Sequence, residues 1–286
     1  MPIYINVKAY TTIILFVVSI SLFAQQKRAL IVGISDYPIT SGWSKINSDN
    51  DIDILKQGVR NVGFSLTTLE NQNATKEGIV QALDKLKEVS CKDDTVLIHF
   101  SCHGQQFLTE EKELLEALIP FDALKYYTKD YWGENHLLDF ELGAIINQIR
   151  EKIGADGLLF VTIDACHSGD AVRGGREDAP IRGTNSVFTN DPFYTAPNRK
   201  DIKKNKLIDK LDDESSFCAV YACQPYQNNY ELKVGDVYYG SLSFAFYSAL
   251  KKLATFNPTL LAKEIVGAMD KTVRKQNPYF ESTFIF

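Results

Sequence analysis

Thr95–Phe100 reads TVLIHF and Leu158–Ile163 reads LLFVTI, two apolar runs with hardly a polar break. A strand that is apolar on both faces belongs in a parallel sheet covered by helices on each side. Ala29–Ile34 (ALIVGI) is a third run of this kind, and Phe64–Leu69 and Phe217–Ala222 bring the set to five. The segments between them are spaced for helices. Ile54, Leu55 and Val59 share one face of Asp51–Arg60, which Gly63 ends. Thr75 is placed to cap a helix carrying Ile79, Val80, Leu83 and Leu86. Asp139 caps another, with Leu142, Ile145, Ile146, Ile149 and Ile153 on its apolar face and Gly154 closing it. Further helices are expected around Ser243–Leu253 and Thr259–Arg274, a short strand or loop at Ala117–Pro120, and a closing strand at Phe280–Phe286. This alternation predicts an α/β fold with a mainly parallel central sheet and helices on both faces.

Composition narrows the function. The chain has 286 residues, 45% of them hydrophobic and 23% charged, which excludes disordered, collagen-like and coiled-coil classes. A formal charge of −5 argues against a nucleic-acid partner. Five Cys are too few for a disulfide scaffold, and Cys91, Cys218 and Cys223 lack the CxxC spacing of a structural zinc site or a thiol oxidoreductase. Thr11–Ala24 is an apolar run too short to span a bilayer but of signal-peptide length, with Ala24 before Gln25-Gln26 as the cleavage point. Residues 1–24 are therefore expected to be a cleaved export signal, giving a periplasmic or secreted protein with no stable membrane anchor after cleavage. One domain follows over residues 25–286, interrupted by a long polar insertion at 169–216.

Ligands of open parallel sheets bind beyond the carboxyl ends of the strands. Two of these ends carry unusual segments: Ser101-Cys102-His103-Gly104-Gln105 after the third strand, and Asp164-Ala165-Cys166-His167-Ser168-Gly169 after the fourth. A Cys needs a neighbouring base to become a nucleophilic thiolate, and His is the usual one. If the strands are neighbours, His103 and Cys166 meet. A satisfied surface His and a buried, inert Cys are the plainer alternatives for these residue types. His99 lies within a strand and reads as a packed sheet residue. His136 sits in a polar stretch and is expected to face solvent. His167 can only support its neighbour.

SCHGQ with DACHSGD resembles the signature of caspase-like cysteine peptidases, most closely the metacaspase and bacterial caspase-family branch. The resemblance extends to ALIVGISDY, to Asn50-Asp51, to Leu118–Asp122, to Ala222–Glu231 and to Gly240–Phe244. It implies a caspase-like fold and an endopeptidase in which Cys166 is the nucleophile and His103 transfers the proton. The N–H groups of Gly104 and Cys166 would form the oxyanion hole. No cofactor and no metal are implied. In Leu138-Asp139-Phe140-Glu141-Leu142, Phe140 replaces one acid of the calcium-binding pair of many metacaspases. The resemblance also implies an acidic pocket for Arg or Lys, built from Asp51, Ser101 and Asp164, so the partners are peptides or proteins with basic P1 residues. Asp51 could instead be a helix N-terminal acid, Asp164 a turn residue, and Asp36 an alternative to Asp51. The insertion holds nine basic residues: Arg173, Arg176, Arg182, Arg199, Lys200, Lys203, Lys204, Lys206 and Lys210. Self-cleavage within it is expected, and the protein is expected to be a monomer. The alternative is a non-catalytic caspase-like interaction or regulatory module.

Overall fold

A computed structural model describes residues 25–166, 179–195, 207–208, 215–253, 255–272 and 276–283. The elements run β1 (Lys27–Gly33), α1 (Ser48–Asn61), β2 (Ser65–Glu70), α2 (Lys76–Val89), β3 (Thr95–Ser101), β4 (Gly104–Leu108), β5 (Leu114–Leu118), β6 (Leu137–Leu138), α3 (Asp139–Ile153) and β7 (Leu158–Asp164). They continue with β8 (Ser216–Tyr221), β9 (Glu231–Val234), β10 (Val237–Gly240), α4 (Ser241–Lys252), α5 (Pro258–Thr272) and β11 (Tyr279–Ser282). The central sheet has six strands in the order β11-β8-β7-β3-β1-β2. Five are parallel, and β11 runs antiparallel to β8 at one edge.

Alternation along each strand divides the core in two. Leu30, Val32, Val96, Ile98 and Phe100 point to the face covered by α2 and α3, where Leu83, Leu86, Ile146 and Ile149 meet them. Ala29, Ile31, Leu97 and Phe160 point to the other face, against Ile52 and Leu55 of α1, Phe246 of α4 and Ile265 of α5. Both faces are covered, which is why these strands read as unbroken apolar runs. Thr75 caps α2 as expected, its hydroxyl accepting from the Gly78 N–H at 3.0 Å. The start of α3 differs from expectation: Leu138 holds the cap position and Asp139 is the first helical residue. The Leu138 N–H is satisfied instead by Glu141 Oε2 at 2.9 Å.

Register sets up the site. Ser101 at the end of β3 lies directly opposite Asp164 at the end of β7, and opposite Gly33 at the end of β1. The small sheet β4-β5-β6 folds over the same end. Part of the insertion is not a solvated loop, although Phe193 is exposed. Residues 180–188 lie across the carboxyl ends of the strands, and Arg182 and Phe188 are almost fully buried. Composition averaged over 169–216 hides these two anchors. The expected signal at 1–24 lies outside the described residues, as does His167. No described helix is long and apolar enough to cross a membrane.

Candidate active site

Cys166 and His103 each stand two residues beyond a strand end, on the neighbouring strands β7 and β3. Both are buried. The His103 ring stacks on Trp43 (centroids 4.9 Å apart) and leans on Tyr37 at 5.2 Å. Its Nε2 lies 2.8 Å from the Ser44 carbonyl oxygen. A carbonyl can only accept, so Nε2 carries the hydrogen and Nδ1 holds the lone pair. Nδ1 is buried with no hydrogen-bond partner. Burial pushes the His103 pKa down to about 4, so the ring is neutral. The result is an oriented imidazole with an unengaged basic nitrogen. The Cys166 thiol donates to the Gln227 carbonyl at 2.8 Å, and the Cys223 thiol approaches the same oxygen at 3.3 Å. The neighbouring Cys166 thiol, with burial, raises the Cys223 pKa.

A peptide segment of the chain itself lies across these residues. The Arg182 carbonyl accepts from the Cys166 N–H at 2.8 Å and from the Gly104 N–H at 3.3 Å. The Arg182 N–H donates to the Asn229 carbonyl, and the Glu231 N–H donates to the Pro180 carbonyl, both at 2.9 Å. Ile181 bridges Tyr230 in antiparallel fashion, so Pro180–Arg182 adds an extended strand to Asn229–Glu231. Gly183 then passes so close that a Cβ there would lie 2.3 Å from the Cys166 carbonyl oxygen and 2.9 Å from the Cys166 Cβ. Only glycine fits. Farther on, Phe188 exchanges backbone hydrogen bonds with Gln106 and Leu108 and packs its ring on Phe107, Tyr131 and His136.

The Arg182 side chain fills a buried acidic pocket. Nη2 contacts Asp51 Oδ2 at 2.7 Å and Glu231 Oε1 at 2.9 Å, and Nη1 donates to Ser101 Oγ at 2.5 Å. Asp51 arrives on the first turn of α1, where it also accepts from Ser101 Oγ (2.7 Å) and from the Gly240 N–H (2.8 Å). It is a wall of the pocket, not a solvated helix-terminal acid. Burial raises the Asp51 pKa to about 6, against the pull of Arg182 and with the push of Asp164. Asp164 accepts from Asn229 Nδ2 (2.7 Å), the Ser243 N–H (2.7 Å) and Ser243 Oγ (2.6 Å). Burial works against the Arg182 charge, but Asp51, Asp164 and Glu231 outweigh it and hold its pKa high.

Asp51, Ser101, His103, Gly104, Asp164 and Cys166 thus come together at one end of the sheet. Asp36 does not join them: it is exposed and pairs with Lys45 at 2.6 Å. His136, expected at the surface, is fully buried. Tyr131 Oη lies 3.0 Å from its Nδ1 and Gln105 Oε1 lies 3.1 Å from its Nε2, and burial pushes its pKa down to about 3. His99 is a sheet residue as read, held by Thr162 and Ser243. Cys102 packs in the core, where burial pushes its pKa up to about 12. Sequence reasoning missed Glu231, Asn229 and Gly240 as pocket residues and had no means of singling out Arg182 among nine basic residues. Glu231 closes the Ala222–Glu231 motif, but nothing local marks its side chain as inward.

Comparisons with known proteins agree with this architecture. A crystal structure of protein GSU0716 from Geobacter sulfurreducens superposes with a TM-score of 0.64 at 24% identity, covering 90% of this chain and 93% of that one. At that identity the likeness speaks for the fold alone. No curated protein sequence matches the chain. A family model for the caspase domain, Peptidase_C14, matches residues 26–286. With the match spanning nearly the whole sequence, the chain belongs to the caspase-domain family of peptidases.

Proposed function

We propose that this protein is an exported cysteine endopeptidase that cuts after Arg or Lys, and that the first bond it cuts is its own Arg182–Gly183. The seating of Arg182 carries the reading. A basic side chain fills the acidic pocket while its carbonyl accepts from two backbone N–H groups beside Cys166 and His103, as a bound substrate would. His103 takes the Cys166 thiol proton, and the thiolate attacks the Arg182 carbonyl carbon. The N–H groups of Gly104 and Cys166 hold the developing oxyanion, commonly the largest catalytic contribution. The C–N bond breaks as His103 returns the proton to the leaving amine, leaving a thioester on Cys166. Water, deprotonated by His103, releases the acid and restores the thiol. Export rests on the apolar run at 11–24.

The test is a panel of fluorogenic peptides varied at P1, beside intact-mass analysis of the incubated chain. Arg and Lys peptides should turn over, Asp peptides should not, and a fragment starting at Gly183 should appear. Faster turnover of Asp than Arg peptides would sink the pocket assignment, and a chain that stays whole while fully active would remove the self-processing step.

Acid should weaken the pocket before it touches His103. With its pKa near 6, Asp51 gains a proton as pH falls through that value, removing negative charge that a basic P1 residue needs. His103, at about 4, stays neutral over this range. Hydrolysis of Arg peptides by the cut enzyme should therefore drop as pH falls through about 6, and Asp51→Asn should flatten that limb. A limb of equal size in Asp51→Asn would contradict this assignment.

A further inference from the structure

Building on the proposed cleavage after basic residues, we infer that Glu231 is a specificity residue that makes the pocket prefer Arg over Lys. Three observations lead there. Arg182 Nη2 donates to Glu231 Oε1 at 2.9 Å and lies in ion-pair contact with Asp51 Oδ2 at 2.7 Å, while Nη1 donates to Ser101. Asn47 holds the Glu231 carboxylate in place, its N–H donating to Oε1 at 2.7 Å and its Nδ2 to Oε2 at 2.5 Å. All three side chains of the Arg182–Asp51–Glu231 triad are inaccessible to solvent.

The length of the side chain then decides. A lysine Nζ stands where an arginine Cζ stands, one bond short of Nη2. From there a single ammonium cannot reproduce the short contacts to both carboxylates. A buried carboxylate left with a distant partner is costly, whereas the planar guanidinium fork matches two acceptors at once. Asp51 keeps the Ser101 hydroxyl and the Gly240 N–H as hydrogen-bond donors whichever cation is bound. Glu231 takes the directed hydrogen bond from Nη2, an atom lysine lacks, so that bond is made with Arg alone.

The experiment uses the cut enzyme and matched Arg and Lys peptides, comparing wild type with Glu231→Gln. The glutamine keeps the shape, and the Asn47 amide can turn over to pair with it. Wild type should favour Arg by about 10- to 100-fold in kcat/KM, in the range expected when a charge-assisted hydrogen bond separates two substrates. In Glu231→Gln the Arg rate should fall by about that factor while the Lys rate changes a few-fold, bringing the ratio near one. An active Glu231→Gln enzyme with an unchanged Arg-to-Lys ratio overturns the inference while leaving basic-residue cleavage standing. A wild type inactive on both peptides, with Cys166 still labelled by a thiol-reactive probe, overturns the cleavage reading itself. Should Glu231→Gln fail to fold, Asn47→Ala, which frees the carboxylate without removing it, should also narrow the ratio. An unmoved ratio there counts against the inference in the same way.

Discussion

Cys166→Ala should yield a folded, uncut chain whose peptide hydrolysis is down by about four orders of magnitude or more, as when one member of a catalytic unit is removed. The substitution removes only the sulfur. The backbone N–H that donates to the Arg182 carbonyl remains, as does the Cβ on which Gly183 packs. The lost Sγ contact to the Gln227 carbonyl should cost about 1 kcal/mol of stability. Arg182 therefore stays in its pocket, and the variant is the natural form in which to trap the uncut state. Intact mass should show a single full-length species, and thermal unfolding close to wild type should show that the fold is kept. Undiminished turnover would remove Cys166 from the chemistry.

Gly240→Ala shuts the pocket. The added Cβ would lie 2.1 Å from Asp164 Oδ2, 2.7 Å from the Arg182 Cζ and 2.8 Å from its Nη1. The backbone at φ −60° and ψ 135° suits alanine, so space alone is at issue. Asp164 cannot retreat, because Asn229 and Ser243 hold it by three hydrogen bonds. The guanidinium must give way, and a displacement of about 1 Å at a reacting substrate can cost about 100-fold in rate. Self-cleavage should stop on the timescale of wild-type processing, and hydrolysis of Arg peptides should fall by about 100-fold or more. The overpacked uncut chain should lose about 1–3 kcal/mol. A small thiol-reactive probe with no P1 side chain should label Cys166 in the variant at the wild-type rate. Arg-peptide turnover within a few-fold of wild type would show that the pocket yields, against this account.

The strands were legible because each is covered on both faces, so that burial wrote itself into consecutive residues. His103 and Cys166 were legible for a related reason: a strand fixes where its end lies, and a motif just past the end inherits that place. Asp51, Ser101 and Asp164 came from likeness to a family pattern, and register brings Ser101 and Asp164 opposite each other. Arg182 differs in kind. Its burial depends on a strand-like pairing with Asn229–Glu231, far away in sequence, and no local pattern reports such a pairing. His136 misled for the same reason: its polar neighbours suggested solvent, but its partners include Gln105 and its cover includes Phe188, both distant in the chain. Polarity of a segment says how much of it can be buried, and not which residue will be.

The bond between Arg182 and Gly183 falls between β7 and β8, which lie side by side in the central sheet with six residue pairs in register from Leu158↔Ser216 to Ile163↔Tyr221. Cutting there makes two polypeptides without making two bodies. One would carry β1 to β7 with Asp51, Ser101, His103, Asp164 and Cys166, and the other β8 to β11 with Asn229, Glu231 and Gly240. Neither half owns a complete specificity pocket. A molecule cut there would in this sense be a heterodimer born from one gene product, its halves zipped through the middle of a shared sheet, and its competence to choose a substrate would be a property of their union.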